Sequence, residues 1–228
     1  MKDNFRQYVI GTILLAAVCS AGVWAGPVFS FTGITHNSAV NTQTGQAQLS
    51  VEVDDAGAGQ VRFIFRNSGP AASTITQIYF DNGPAGPLAS IVGFDYSNPG
   101  IAFTVGAVPS NVPGWNNVTP NFQATAGLTA GAADPAPHNG VNPFEWVGIT
   151  TNPAVPYTYA DVLDQISSGA LRIGIHVQGF ANGGSESFVT TWDRPPIVPA
   201  PGSLLLTTIG LGAVRILRHR YDLTAQPC

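Results

Sequence analysis

Two glutamates are the first candidates for chemistry in this sequence. Glycoside hydrolysis needs two carboxyl groups that face each other across a cleft, and Glu145 and Glu186 are the only glutamate pair placed late in the chain. Nothing in their spacing brings them together. The Gly-Gly-Ser-Glu-Ser run at 183–187 differs from a nucleophile elbow, which reads G-x-S-x-G between a strand and a helix. The residues therefore predict a protein without a catalytic site, and a hydrolase is an alternative that they do not favour.

Metal ligands are scattered rather than clustered. The histidines outside the first 25 residues are His36, His138, His176 and His219. They form no i,i+4 pair, and His176 alternates with apolar neighbours, so it is expected to be a surface residue. The Asp-Asp pair at 54–55 and the Asp-Asn-Gly turn at 81–83 lack the spacing of a calcium loop, and Asp and Asn are common in turns anyway. No cofactor is predicted, with structural calcium left as an alternative.

Two tryptophans could form a surface for sugar rings. Trp115 and Trp146 would need exposed rings to serve as an aromatic platform. Core packing is the commoner use of such residues. A carbohydrate-binding module is therefore the alternative function, and it depends on the exposure of these two rings.

Charge is sparse and negative. Only 10% of residues are charged, and 26 glycines and 18 prolines favour short strands with many turns. Between Gly26 and Gly202 there are four arginines and eleven acidic residues, a net charge of −7, and the only lysine of the chain is Lys2. Such a surface repels phosphate backbones, so no nucleic-acid partner is expected.

The elements that must position these residues are mostly strands. Apolar residues alternate with polar ones along 49–53 and 61–66, which predicts a hairpin with one apolar face. Further strands are predicted at 29–35, 74–80, 88–96, 101–105, 144–150, 171–180 and 187–192. This pattern predicts a mainly β domain, an antiparallel β-sandwich of jelly-roll type. One short helix is predicted after Thr158, ending near Gly169, and 108–143 is predicted to be a long ordered loop.

The first 25 residues have the features of a secretory signal peptide. Lys2 and Arg6 precede an uncharged run at 8–24, and Ala25 before Gly26 suits cleavage between these two residues. A signal helix over 1–25 is therefore predicted, with an uncleaved anchor as the alternative. The two cysteines lie at position 19, inside this signal, and at the last position, 228. The secreted domain, 26–194, would then contain no internal disulfide.

The C-terminal region has three parts in a fixed order. A proline-rich linker at 195–202 contains Pro199, Ala200, Pro201 and Gly202. A short transmembrane helix with a basic end is predicted at 203–220, followed by an extension at 221–228. Its uncharged part, 203–214, is shorter than the roughly 20 residues that cross a bilayer comfortably. Positive charge at Arg218 and Arg220 would keep this end in the cytoplasm.

This order of parts resembles the PEP-CTERM sorting domain, with Ala200 where the signature has Glu. The resemblance implies an exported bacterial protein whose Pro199–Gly202 signature is processed by an exosortase, a membrane protease-transpeptidase. It also implies an association with exopolysaccharide and biofilm. The body of the chain resembles an uncharacterised domain common in PEP-CTERM proteins at 75–81, 139–143 and 171–188. That likeness predicts a fold and a location but no reaction.

The sequence therefore predicts an exported protein of the cell envelope or extracellular matrix with a structural or adhesive role. Its C-terminal helix would anchor it in the inner membrane, transiently or permanently. The expected partners are an exosortase-like sorting protease, the membrane before processing, and exopolysaccharide.

Overall fold

The computed structural model describes residues 26–191, which lie within the predicted secreted domain. The signal helix 1–25, the linker 195–202, the transmembrane helix 203–220 and the extension 221–228 lie outside the described residues and stay predictions.

The described residues form ten strands and two α-helices. In chain order they are β1 (Val28–Gly33), α1 (Ala39–Gln48), β2 (Leu49–Gly57), β3 (Gln60–Asn67), β4 (Thr74–Asp81), β5 (Leu88–Tyr96), β6 (Phe103–Val105), β7 (Thr129–Ala132), β8 (Glu145–Pro153), α2 (Tyr159–Ser167), β9 (Arg172–Gln178) and β10 (Glu186–Thr190). A single-turn 3₁₀ helix lies at Trp115–Asn117. The prediction of a mainly β, antiparallel domain is confirmed, and every strand except β7 overlaps a predicted strand.

All ten strands belong to one antiparallel, nearly closed sheet in the order β5-β8-β3-β2-β1-β10-β9-β4-β7-β6. β1 joins the two halves, because it pairs with β2 through Val28 to Ser30 and with β10 through Phe31 to Gly33. At the two free edges, the Tyr96 hydroxyl of β5 accepts a hydrogen bond from the Phe103 N–H of β6 at 3.1 Å and lies 3.3 Å from the Phe103 carbonyl. A side chain thus bridges the gap that the ladder leaves open.

The core lies between the two halves of the sheet. On β3, Val61, Phe63 and Phe65 point inward and are completely buried. The ring of Phe63 packs edge-to-face on Phe80 of β4, with 4.9 Å between ring centroids. Burying one such side chain stabilises the fold by about 1.5–3 kcal/mol, so this row contributes strongly to the packing of β3 against β4 across the core.

The prediction of a single helix was wrong, because α1 precedes β2. Ser38 caps α1 by accepting the Asn41 N–H, but the helix has a polar sequence without an apolar stripe. It is held by tertiary contacts: a Cβ on Gly45 would lie 2.1 Å from Phe188 Cζ, so only glycine lets the ring approach. Gln48 donates to Asn67 and Ser73 side chains. Helical periodicity could not reveal a helix whose buried face is polar.

The predicted helix α2 is confirmed. Thr158 and Asp161 form a capping box, Val162 and Ile166 are buried, and Gly169 follows with a positive φ of 76°. The local signals were sufficient here because a cap, an apolar face and a terminating glycine agree.

The predicted loop 108–143 is ordered, but it also contains β7 and the 3₁₀ turn. Val112 and Phe122 from this segment are fully buried and pack with Tyr79 and Val189 in a second hydrophobic cluster. Tyr79 and Val189 alternate with core residues of β4 and β10, so the segment covers the outer face of this half of the sheet.

Candidate functional site

One cavity lined by the described residues has a volume of about 720 Å³. It is open to solvent and lies between the turn at 83–84, the segment 120–125 and the turn at 169–170. Two charged residues line it, Asp81 at the end of β4 and Arg172 at the start of β9, which are paired in the sheet register.

Arg172 is fully engaged by the protein. Its Nε lies 3.1 Å from Asp81 Oδ2, and its Nη2 donates to the same oxygen. Nη1 donates to the Pro120 carbonyl at 2.6 Å and Nη2 to the Asn121 carbonyl at 2.7 Å, while the guanidinium lies 5.4 Å from the centroid of the Phe122 ring. The residue therefore fastens segment 120–122 to the sheet rather than presenting a charge to the cavity.

The Asp-Asn-Gly turn at 81–83, one of the two turns considered for calcium, is hydrogen-bonded to protein donors. Asp81 accepts the Gly83 and Gln123 N–H groups besides Arg172, and Asn82 is bonded to both backbone groups of Leu88. Within residues 26–191, no three His, Cys, Asp or Glu side chains come together in a group suited to a metal ion.

The glutamates considered for glycoside hydrolysis, Glu145 and Glu186, do not line the cavity. Glu145 accepts hydrogen bonds from the Asn98 side chain at 2.6 Å and from the Asn142 N–H at 2.8 Å. Glu186 is completely buried and accepts from Thr35 Oγ1 and the Ser38 N–H. Each carboxylate therefore fixes a turn of the protein.

Glu186 belongs to a buried polar cluster that the sequence analysis missed. The Ser187 N–H donates to Thr35 Oγ1 at 2.9 Å, and His176 Nδ1 lies 3.0 Å from Ser187 Oγ. Burial lowers the pKa of His176, and the Glu186 carboxylate opposes this shift. Thr35 and Ser38 are 151 and 148 positions away from Glu186, so no local sequence signal could have grouped them.

The expectation that His176 is a surface residue was wrong, because only 8% of it is exposed. It does point away from the central core, as alternation predicted. However, that face of β9 is covered: a Cβ on Gly174, two residues earlier on the same face, would lie 3.0 Å from Phe122 Cζ. His176 therefore points outward from the sheet without being exposed to solvent.

The two tryptophans have different surroundings. Trp115, in the segment that covers the β10-β9-β4 half, is 41% exposed. Trp146 on β8 is half-buried, and the guanidinium groups of Arg62 and Arg66 lie 5.4 and 6.0 Å from its ring centroid. Arg62 in turn pairs with Asp95, and Arg66 pairs with Glu52. Trp115 thus offers the more accessible ring.

The residues of the sorting and cleavage signals are mostly outside the described part. Pro199, Ala200, Pro201, Gly202, Arg218, Arg220 and Ala25 lie there. Gly26 is described: it is buried, and its N–H donates to Asp54 Oδ1 at 2.8 Å. Neither helix within 26–191 combines the length and the apolar character that a membrane span requires.

Comparison with known proteins returned no match: no family model, no curated protein and no solved structure is similar to this chain. The resemblance to PEP-CTERM proteins accordingly rests on the quoted sequence segments and stays a prediction.

Proposed function

We propose that this chain is an exported structural or adhesive protein of the cell surface or extracellular matrix. One observation supports a structural role most directly. All three arginines in residues 26–191 are ion-paired with acidic residues of the same domain, and the two candidate catalytic glutamates are hydrogen-bonded to turns. These charged side chains are used to hold the fold together.

We take the two halves of the sheet as the two layers of a jelly-roll-like sandwich. The packing of Phe63 on Phe80 across the core supports this description. Such a domain tolerates an extracellular position without disulfides, because about 165 residues are enough to build a sizeable core.

The proposed route to the surface uses both ends of the chain. The signal at 1–25 directs export, and the helix at 203–220 holds the protein in the inner membrane. An exosortase-like protease then recognises the signature Pro199–Gly202 and releases the domain to an exopolysaccharide-containing matrix. Arg218 and Arg220 keep the helix oriented with its C-terminal end in the cytoplasm.

The test is the intact mass of the protein in membrane and extracellular fractions of the producing cells, with both termini mapped. We expect an extracellular chain that starts at Gly26 and ends near 199–202. Replacing Pro199 and Pro201 by alanine should leave the tail intact and the protein in the membrane. The matched control replaces Pro195 and Pro196, which removes the same number of prolines outside the signature. Equal processing of both variants would refute the sorting proposal.

Carbohydrate binding is the second candidate function, and the exposure of Trp115 favours it. Exopolysaccharide from the producing cells should quench tryptophan fluorescence of the wild-type protein and bind Trp115→Ala at least tenfold more weakly. Phe144→Ala is the control, because Phe144 is an exposed aromatic residue at another place, 71% accessible. Identical binding by the wild type and Trp115→Ala would remove this candidate.

A further inference from the structure

Gly26, the residue that follows the predicted cleavage position, is held closely against β2. Its nitrogen lies 2.8 Å from Asp54 Oδ1. A Cβ at this position would lie 1.9 Å from the Val53 carbonyl oxygen and 2.5 Å from the Asp54 carboxylate, so a side chain has no room. The next residue is held as well, because the Val53 N–H donates to the Pro27 carbonyl at 3.0 Å. The backbone nitrogen of residue 26 is therefore fixed against a carboxylate.

The arginines near the Asp54 carboxylate are already paired with other acidic residues. Burial raises the pKa of Asp54, and neighbouring Glu52 raises it further, while the Gly26 N–H, Arg62 and Arg66 lower it. Both arginines already have partners, Asp95 and Glu52 respectively.

Helix α2 adds no cation to the site. Its Tyr159 hydroxyl donates to the Val53 carbonyl at 2.9 Å, and the pKa of this hydroxyl is raised by burial and by Asp54, Asp55 and Glu52. A neutral peptide N–H at Gly26 thus faces a partly buried group of acids.

We propose that cleavage of the peptide bond between Ala25 and Gly26 creates an α-ammonium group that forms an ion pair with Asp54, so that the fold contains a binding site for its own mature N-terminus. This inference rests on the proposed export. In the cleavage, a signal peptidase adds water across the bond: the hydroxyl goes to the Ala25 carbonyl, the hydrogen goes to the Gly26 nitrogen, and the new amine takes up a proton from solvent.

Cleavage gives the nitrogen of residue 26 a positive charge, so that its contact with Asp54 becomes an ion pair. A hydrogen bond from an ammonium to a carboxylate is roughly twice as strong as one between neutral groups. An α-amino group ordinarily has a pKa of about 7.7–8.0, and Asp54, Glu52 and Asp55 favour its charged form. Its pKa is therefore raised in the folded protein, so its contribution to stability is fully present below about 7.7 and is lost as the pH rises through the folded-state pKa.

The sequence makes this terminus easy to observe. Lys2 is the only lysine of the chain, so a chain cut at Gly26 has one primary amine. The exported protein is treated with an N-hydroxysuccinimide acetate ester at pH 7.5, and intact mass gives the rate of single acetylation. We expect Asp54→Asn to react about sevenfold faster than the wild type, since at pH 7.5 a rise of one unit from a pKa of about 7.8 lowers the free amine fraction by about that factor. Asp134→Asn, which removes an exposed carboxylate, should react at the wild-type rate.

A second measurement uses the wild type alone, in case Asp54→Asn is not exported. The pH dependence of acetylation is compared in the folded protein and in urea. Burial slows the reaction at every pH, whereas the ion pair moves the midpoint, which should be about one unit higher in the folded protein.

The outcomes separate this inference from the proposed function. An exported chain that starts at Gly26, with an unchanged midpoint or with equal rates for the wild type and Asp54→Asn, overturns the ion pair and leaves export standing. An exported chain that starts elsewhere overturns the ion pair and the predicted cleavage site while leaving export standing. A chain that is never exported overturns both proposals.

Discussion

Removing Arg172 should destabilise the domain strongly. The substitution Arg172→Met keeps much of the side-chain length but removes every hydrogen bond that the guanidinium makes. It leaves the Asp81 carboxylate buried without a cation, and it leaves the carbonyls of Pro120 and Asn121 without their donors. The side chains of Arg172 and Asp81 are only 7% and 9% exposed, so water cannot replace the lost partners easily.

The size of the effect follows from this burial. Removing one partner of a buried ion pair costs about 3–5 kcal/mol. The matched control is Arg62→Met, which breaks the pair with Asp95, whose side chains are 31% and 42% exposed. Exposed pairs contribute about 0.2–1 kcal/mol. With a urea m value of roughly 2 kcal/mol/M, Arg172→Met should lower the unfolding midpoint by about 2 M and the control by less than about 0.5 M.

Urea unfolding of the exported protein, followed by tryptophan fluorescence, measures both midpoints. Limited proteolysis provides a second readout, because Arg172→Met should speed cleavage within 108–124, which the guanidinium fastens to the sheet at 120–122. If Arg172→Met does not fold, Arg172→Lys retains the charge without the planar fork and should lose less stability. A midpoint for Arg172→Met no lower than that of Arg62→Met would refute the argument from burial.

Three further predictions concern packing and protonation. Because burial lowers the pKa of His176, the unfolded chain takes up the proton first on acidification. The free energy of unfolding should therefore fall as the pH drops below about 6.5, and His176→Asn should reduce this slope in urea titrations between pH 5 and 7.5. Gly45→Ala should destabilise by about 1–3 kcal/mol in urea unfolding, because its Cβ would overlap the Phe188 ring, although alanine is the better helix former. Tyr96→Phe should cost about 0.5–1.5 kcal/mol in the same assay, since the hydroxyl no longer bonds Phe103.

Each of these has a matched control. His138→Asn changes an exposed histidine and should leave the pH slope unchanged; an equal loss of slope in both variants would contradict the assignment to His176. Ala47→Gly tests helix propensity in α1 and should destabilise by about 1 kcal/mol; stabilisation by Gly45→Ala would show that the ring can move aside. Tyr157→Phe removes the exposed hydrogen bond from the Tyr157 hydroxyl to the Ala85 carbonyl. If it lowers the free energy of unfolding as much as Tyr96→Phe does, the contact between Tyr96 and Phe103 contributes no more than an exposed hydrogen bond.

Sequence reasoning was sufficient wherever a local pattern and the tertiary environment agreed. Alternation of apolar residues located the β2–β3 hairpin and the long strands β4 and β5, because one face of each strand must be buried in any compact fold. The capping box at Thr158 located α2 for the same reason. Composition also excluded a lysine from the described domain. The signals at both ends of the chain stay predictions from sequence.

Only the tertiary structure decided which polar residues are buried and what they contact. Helix α1 has no apolar stripe, so nothing local marked it, and its position depends on Gly45 meeting Phe188. His176 faces outward as alternation predicted, yet it is buried because a distant segment covers that face. The contacts of Asp81 with Arg172 and of Gly26 with Asp54 join residues 91 and 28 positions apart. Such contacts depend on where the chain returns in space, which the local pattern of a sequence does not contain.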